Sequence, residues 1–179
     1  MRKVLVLFGL LALTGCDEPT VITHVDRLHH MTQDQLVVMQ DARGIPVEFH
    51  GRPFLNDVPH AELAAAMRPP NGSAQGVRFH AVAPGHSANG HGWRLVLHFN
   101  PQDDVPNSFE DCKLSSEANT AGPMTEAFSV NATFCKGTEW QAHGFMRVLK
   151  IAKADPDAFA RAMKQLFLAI LPKNSDPDR

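Results

Sequence analysis

Three segments with alternating apolar residues limit the fold of this chain more than any other feature. Side chains of a β-strand point alternately to its two faces, so each segment is expected to be a strand with one apolar face. The apolar positions are Val77, Phe79, Ala81 and Ala83 in the first segment, Trp93, Leu95, Leu97 and Phe99 in the second, and Val130, Ala132 and Phe134 in the third. The sequence therefore predicts a sheet whose apolar face packs against other elements.

Two further segments have the features of helices that cover such a face. In the C-terminal one, Asp155 is placed as the N-cap and Pro156 occupies the first turn. Its apolar residues recur at helical spacing and are Phe159, Met163, Leu166, Phe167 and Ile170. The other segment, Ala61 to Met67, is rich in helix formers and follows a candidate cap at Asp57.

The spacing of the alternating segments predicts which strands pair. Residues 84–92 form a glycine-rich connection between the first two segments, so we expect these to form a β-hairpin with a long tip. The third segment leads into a turn at Lys136 and Gly137 and then into a weaker strand from His143 to Leu149. Strands that follow each other along the chain are thus expected to be neighbours.

Two apolar runs near the beginning of the domain, Leu36–Met39 and Ile45–Phe49, have two interpretations. The residues between them favour a turn, and Pro46 suits an edge strand, so a hairpin is the first. In the second, residues 32–43 form a helix that starts with a capping box and is stopped by a glycine. We favour the hairpin because the first run contains two adjacent β-branched valines.

The first sixteen residues follow a different pattern. Arg2 and Lys3 precede an apolar run from Val4 to Leu13, which is the order of residues in a secretory signal. A helix of about ten residues is about 15 Å long, half of the hydrocarbon thickness of a bilayer, so the run is too short to cross it. The run ends in the sequence Leu-Thr-Gly-Cys at residues 13–16, which resembles the lipobox of bacterial lipoproteins.

This resemblance implies that Cys16 carries a lipid. In bacterial lipoproteins the cysteine sulfur receives diacylglycerol, the chain is cut before the cysteine, and the new amino terminus is often acylated with a fatty acid such as palmitate. Two or more acyl chains hold a protein stably at a membrane, whereas one binds reversibly. Asp17 resembles the signal that keeps lipoproteins of enteric bacteria on the inner membrane, so we expect the inner rather than the outer membrane.

The resulting organisation is a single anchored domain. We assign residues 1–15 to a signal peptide, 16–32 to a tether that pairs at the sheet edge or stays loose, and 173–179 to a polar tail. Residues 33–172 are expected to form one α+β domain, and its length suits a single core. The expected architecture is a mainly antiparallel sheet of hairpins with two helices packed on one face.

Two cysteines, Cys112 and Cys135, lie within this domain. An exported chain folds in an oxidising compartment, where a pair of cysteines usually forms a disulfide. Two buried free thiols or a metal-binding pair are the alternatives, and the spacing has no CxxC signature of a metal site. We therefore expect a disulfide.

Histidine is unusually frequent, with ten residues in the chain. Four are close in sequence: His80, His86, His91 and His98. In the expected hairpin, two of them share the face opposite the apolar one and two lie on the loop, and neutral imidazole is a common ligand of zinc and copper. Arg78 and Arg94 fall on the same face and would repel a cation. A solvated polar face is therefore the first interpretation, and a zinc or copper site is the alternative.

No segment has the pattern of a catalytic centre. Residues 85–89 are similar to the nucleophile elbow of α/β-hydrolases around Ser87, but Asn89 stands where that tight turn requires glycine. Phosphate-binding and dinucleotide-binding glycine motifs are absent from the sequence. We therefore assign no catalytic residue and favour a non-enzymatic function.

Charge and composition narrow the choice of partners. The net charge of −2 lacks the basic excess of a nucleic-acid-binding domain, so we expect no nucleic-acid partner. We expect a lipoprotein on the periplasmic side of a membrane that acts through contacts with another envelope protein and needs no cofactor. Its expected contact surface is the 84–92 loop together with Arg78, His80, Arg94 and His98. The alternative is a metal-binding lipoprotein that uses the four histidines.

Overall fold

A six-stranded mixed sheet organises the chain in this computed structural model, which describes residues 20–28, 31–70, 76–85, 92–102, 111–114, 122, 127–149 and 155–173. The elements in chain order are β1 (Thr20–Arg27), a 3₁₀ helix (Gln33–Val37), β2 (Ile45–His50), α1 (His60–Ala66), β3 (Phe79–Val82), β4 (Trp93–Phe99), β5 (Phe128–Lys136), β6 (Glu139–Val148) and α2 (Pro156–Ile170). The α+β class expected from the sequence is retained.

The strand order is β1-β6-β5-β4-β2-β3, and it corrects the expected topology. Strand β2 is parallel to both of its neighbours, β3 and β4, whereas the other neighbouring strands are antiparallel. The prediction of a mainly antiparallel sheet of hairpins is therefore wrong. Parallel strands cannot be joined by a tight turn, and here α1 carries the chain back between β2 and β3.

Of the expected strand pairs, only the last one forms. Strands β5 and β6 are antiparallel and joined by a turn that contains Gly137, as the sequence predicts. The expected hairpin of β3 with β4 is wrong, because β2 lies between them. The hairpin expected at residues 36–49 is also wrong: its first run, Leu36–Met39, begins in the 3₁₀ helix and continues as a turn, and an isolated bridge between Asp41 and Gly44 precedes β2.

The apolar face of the sheet forms one core with α1 and α2, and the alternating residues expected there are mostly buried in it. In α2, Phe167 stacks against Phe79 at a ring-centroid distance of 5.6 Å and lies 5.8 Å from the ring of Phe134. The predicted cap of α2 is confirmed, since the Asp155 carboxylate accepts a hydrogen bond from the amide of Ala158 at 2.7 Å. Helix α1, in contrast, has Pro59 and not Asp57 at its N-cap.

Strand β1 lies inside the stretch that we expected to be a tether. It pairs along its length with β6, from Thr20 opposite Val148 to Arg27 opposite Ala142. Of the two possibilities that the sequence left open for residues 16–32, pairing at the sheet edge therefore holds for Thr20–Arg27. The ordered sheet consequently begins only four positions after Cys16.

Candidate functional site

The face of the sheet that points away from the two helices carries buried polar side chains, and we call it the polar face. Its members alternate with the core residues along β2, β4, β5 and β6 and are Glu48, His50, Arg94, His98, Asn131, Thr133 and His143, joined by Asp111. All except His98 are at most 2% exposed, and the side chain of His98 is 14% exposed. A buried charge is costly unless it is paired, so the partners of these groups determine what the face can do.

A disulfide between Cys112 and Cys135 attaches residues 111–114, which we call the cover of the polar face, to the sheet. The Cα atoms are 5.6 Å apart, both residues are buried, and they pack with Val96. The expected disulfide is thereby confirmed. Because Cys135 belongs to β5, the bond holds residues 111–114 against the sheet and brings Asp111 into the polar face.

Arg94 ties three parts of the chain together. Its guanidinium donates hydrogen bonds to the carbonyl oxygens of Gly137 at 2.6 Å and Cys112 at 2.7 Å. Its Nε atom forms an ion pair with Glu48, at 3.2 Å from Oε1. The side chain therefore links the β5–β6 turn, the disulfide segment and β2, and its charge is neutralised by a buried carboxylate.

Asp111 forms the second charged centre of the polar face. One of its oxygens accepts a hydrogen bond from the Thr133 hydroxyl at 2.9 Å, and the other lies 3.4 Å from Nδ1 of His98. The His98 ring in turn contacts the ring of His50 edge-on at 6.4 Å, and Nε2 of His50 lies 3.6 Å from Oε2 of Glu48. Two carboxylates and two histidines thus form one continuous buried network.

His143 differs from the other histidines of the polar face. Its Nε2 atom lies 3.4 Å from Oδ1 of Asn131, and its ring lies 5.7 Å from the exposed ring of His24. Burial lowers the pKa of His143 from 6.5 to about 4; Asp111 opposes this shift and His24 adds to it. His143 is therefore neutral at pH 7, and its protonation is coupled to unfolding.

A carboxylate beside an imidazole is a common part of acid–base centres, and nucleophilic catalysis would further need a hydroxyl or thiol aligned with the imidazole. The Thr133 hydroxyl donates to Asp111 and not to a histidine. The Cys112 and Cys135 sulfurs are joined to each other. The chemistry that these residues support is a network of paired charges that connects the sheet to its disulfide-bonded cover.

The two described histidines of the expected metal site, His80 and His98, are not brought together. His80 lies on β3 beside Asp41, with 3.4 Å between Nε2 and Oδ2, whereas His98 lies on β4 beside Asp111. The strand β2 separates them, and their levels along it, opposite Pro46 and His50, differ by four residues. Strand spacings then put their Cα atoms roughly 16 Å apart, too far to share one ion.

Two of the four histidines, His86 and His91, lie outside the described residues, as does Ser87. Among the residues that the structure describes, no group of three or more histidine, cysteine or acidic side chains is arranged to hold a metal ion. Zinc or copper binding therefore stays a prediction from the sequence.

The expected contact surface lies only partly within the described residues, because residues 86–91 of its 84–92 loop fall outside them. Arg94 is 1% exposed and fully engaged with its own chain, and the side chains of His80 and His98 are mostly covered. Arg78 is exposed and immediately precedes β3. Contact of this surface with a partner therefore stays a prediction from the sequence.

The expected lipidation site, Cys16, falls in residues 1–19, outside the part of the chain that the structure describes. Within the described part, neither helix is long and apolar enough to span a bilayer.

Sequence reasoning missed most of the polar face. Glu48 and His50 alternate with Val47 and Phe49, so the same period of two that predicts apolar faces could have identified them. Asp111 carried no such signal, because it reaches the face from outside the sheet and only through the neighbouring disulfide.

The comparisons with known proteins found no relative: no protein-family model, no curated protein and no solved structure matches this chain significantly.

Proposed function

We propose that this protein is a bacterial envelope lipoprotein, anchored through a lipid on Cys16, whose domain acts through contacts with other envelope components on the periplasmic side. The observation that carries the proposal is the closeness of the lipobox-like sequence to the sheet. Only three residues, 17–19, separate Cys16 from Thr20, the first residue of β1. The domain would therefore sit directly at the bilayer surface.

Chain length limits how far the domain can be from its anchor. Four peptide units span at most about 14 Å when fully extended, so Thr20 would lie within about 14 Å of the lipidated cysteine. Thr20 pairs with Val148, which also pairs with Phe128 on β5. The end of the sheet formed by these three residues would therefore face the membrane, and we call it the anchor end.

The surface of the anchor end suits this position. Val21 and Leu149 are 42% and 53% exposed, and the register of β1 with β6 makes them diagonal neighbours on one side of the sheet. Arg147, directly opposite Val21, is exposed between them. Two apolar side chains beside a guanidinium are a combination that interacts favourably with lipid headgroups.

The disulfide supports an exported location. Disulfides persist in oxidising compartments such as the bacterial periplasm and are rare in the cytosol. The bond between Cys112 and Cys135 fastens a segment that carries Asp111 of the buried network. An oxidising environment is thus favourable to the charge pairing of the polar face.

The test exchanges the leader and keeps the domain. Residues 1–16 are replaced by a non-lipid export signal that is cleaved before Asp17, and the location of the protein is compared with that of the native chain. We expect the native protein in the membrane fraction after a carbonate wash and the exchanged protein in the soluble periplasmic fraction. Equal membrane retention of both proteins would contradict a lipid anchor.

Two matched variants separate the anchor from the protein's own membrane contact. Val21→Ser with Leu149→Ser keeps the lipobox intact, so it should stay with the membrane. In the leader-exchanged protein the same changes should remove any residual affinity for vesicles. A loss of membrane retention by the lipobox-intact double variant would show that side chains, and not a lipid, hold the protein.

A further inference from the structure

Three arginines surround a cavity of about 400 Å³ that is remote from the polar face's buried network. They are Arg43, Arg68 and Arg78, and the remaining lining residues are small or apolar and include Phe79. We propose that this arginine cavity binds a small, soluble, phosphate-bearing molecule. The three arginines come from separate parts of the chain, line one concavity, and form no ion pair with a described carboxylate.

The topology of the β2–α1–β3 unit brings the arginines together. Arg43 precedes β2 and Arg78 precedes β3, and these strands are parallel, with Ile45 opposite Phe79. Helix α1 runs back between the two strands, so Arg68, which follows its C-terminus, returns to the same edge of the sheet. The cavity therefore lies at the amino-terminal edge of two neighbouring parallel strands.

Close backbone packing fixes two of the three positions. The amide of Ile45 donates a hydrogen bond to the carbonyl of Arg78 at 2.7 Å. Gly44 has a φ of +128°, and a Cβ placed on it would lie 2.5 Å from that carbonyl oxygen. Only glycine suits this approach, so the residue after Arg43 is held directly against the backbone of Arg78.

The three arginines have hydrogen-bond acceptors nearby, but these do not neutralise their positive charges. Arg68 donates from Nη1 to the carbonyls of Ala65 and Met67, which fixes its position without neutralising it. The carboxylate of Asp41 is engaged elsewhere: Oδ1 accepts from the amides of Arg43 and Gly44, and Oδ2 lies beside His80. Among the described residues, no acidic side chain lines the cavity or forms an ion pair with Arg43, Arg68 or Arg78.

This chemistry indicates a phosphate group on a small molecule. Guanidinium groups match the oxygens of phosphate with pairs of charge-assisted hydrogen bonds, and a phosphate dianion balances more than one of them. A volume of about 400 Å³ is at the lower end of the range for ligand pockets, which limits the size of the molecule. Phe79 supplies an apolar wall for the part that bears the phosphate.

Phosphate groups are also found on lipid headgroups, but the position of the cavity favours a soluble source. The anchor end lies at the carboxyl-terminal ends of β2 and β4, because β4 residue Phe99 pairs with Val130 close to Phe128. The cavity lies at the opposite ends of these strands, roughly 30 Å away along the strand direction. The inference that the phosphate belongs to a soluble molecule rests on the proposed function, because it uses the position of the lipid anchor. The inference that the arginine cavity binds phosphate does not.

The experiment is calorimetric titration of the full chain, purified in a non-ionic detergent and in a buffer without polyanions, with inorganic phosphate. We expect saturable binding that weakens as salt is added. The double variant Arg43→Gln with Arg78→Gln should bind about tenfold more weakly or worse, since each removed guanidinium takes away a charge-assisted contact. Arg52→Gln, which removes an exposed arginine paired with Asp57 outside the cavity, should bind like the native chain.

The results of these titrations test phosphate binding by the cavity and distinguish a soluble phosphate from a lipid headgroup. Circular dichroism of the variants verifies that they are folded, so a loss of binding reports on the cavity. Absence of saturable phosphate binding, or an equal loss in the Arg52→Gln control, would overturn the proposal. A parallel titration with phosphatidylglycerol vesicles tests the lipid source: vesicle binding that depends on Arg43 and Arg78, without binding of free phosphate, would contradict a soluble ligand.

Discussion

The two faces of the sheet are both buried at their centres, but opposite kinds of side chain bury them. The helix-covered face is a single apolar core that includes Phe79, Phe134 and Phe167. On the polar face, Glu48 and Arg94 are as inaccessible as the phenylalanines. Apolar burial stabilises through area and needs no specific partner, whereas each buried charge depends on particular atoms. The two faces should therefore fail in different ways.

Breaking the charge pairing should produce the largest effect. Arg94→Ala leaves Glu48 buried without its cation and removes donors from the carbonyls of Cys112 and Gly137. We expect the free energy of unfolding to fall by about 4 to 5 kcal/mol, measured by urea denaturation. Arg94→Met combined with Glu48→Gln removes both charges and should recover part of this loss; no recovery would mean that packing, and not charge, explains the cost.

The corresponding change on the apolar face is Phe167→Ala. Phe167 is fully buried between Phe79 and Phe134, so its truncation should lower the free energy of unfolding by about 4 kcal/mol. Leu168→Ala is the control. Leu168 follows Phe167 in α2 but is 50% exposed, so its truncation should change the free energy of unfolding little. A loss below about 1 kcal/mol for Phe167→Ala would show that α2 is not part of the core.

Removal of the disulfide tests how the cover of the polar face is held. The bond closes a loop with a sequence separation of 23 residues, for which chain entropy predicts a stabilisation of about 3 kcal/mol. Cys112→Ser with Cys135→Ser should lower stability by about that amount and, by hydrogen exchange, should loosen β5 residues near Thr133 more than the residues under α2. A uniform loss of protection would indicate that the two faces unfold together.

The smallest effect concerns pH. His143 has a pKa of about 4 in the folded state against 6.5 when unfolded, so the unfolded chain binds more protons between these values. The free energy of unfolding is therefore highest above pH 6.5 and decreases as the pH falls towards 4. The expected decrease is about 2 kcal/mol between pH 7 and pH 5. His143→Gln should flatten this slope, while His24→Gln should retain most of it, because burial lowers the pKa of His143 more than His24 does. Equal slopes in both variants would exclude His143 as the source.

The comparison of the faces also explains what could be predicted from the sequence. A period of two identifies the faces of a strand, and it correctly assigned Leu95 and Phe134 to the core. The same period does not reveal which strands are neighbours. The hairpin of β3 and β4 was therefore wrong, because β2 inserts between them through the α1 crossover.

The candidate site was harder to predict for a related reason. His98 was singled out from the sequence, but its partners, Asp111 and His50, come from a loop and from a strand that was expected elsewhere. The disulfide was predictable, since the prediction needed only two cysteines in a domain that the leader sequence led us to expect to be exported. The cavity of Arg43, Arg68 and Arg78 depends on a βαβ connection. A local sequence pattern does not indicate which arginines such a connection brings together.

The lipid anchor on Cys16 is the claim on which the proposed function depends most directly. Intact-mass and N-terminal peptide mass spectrometry of the protein purified from its native membranes measures it in a single experiment. We predict a chain that begins at Cys16 and carries the added mass of diacylglycerol, with or without a further acyl group on its amino terminus. A first residue without acyl mass, or a chain that still contains residues 1–15, would contradict the account.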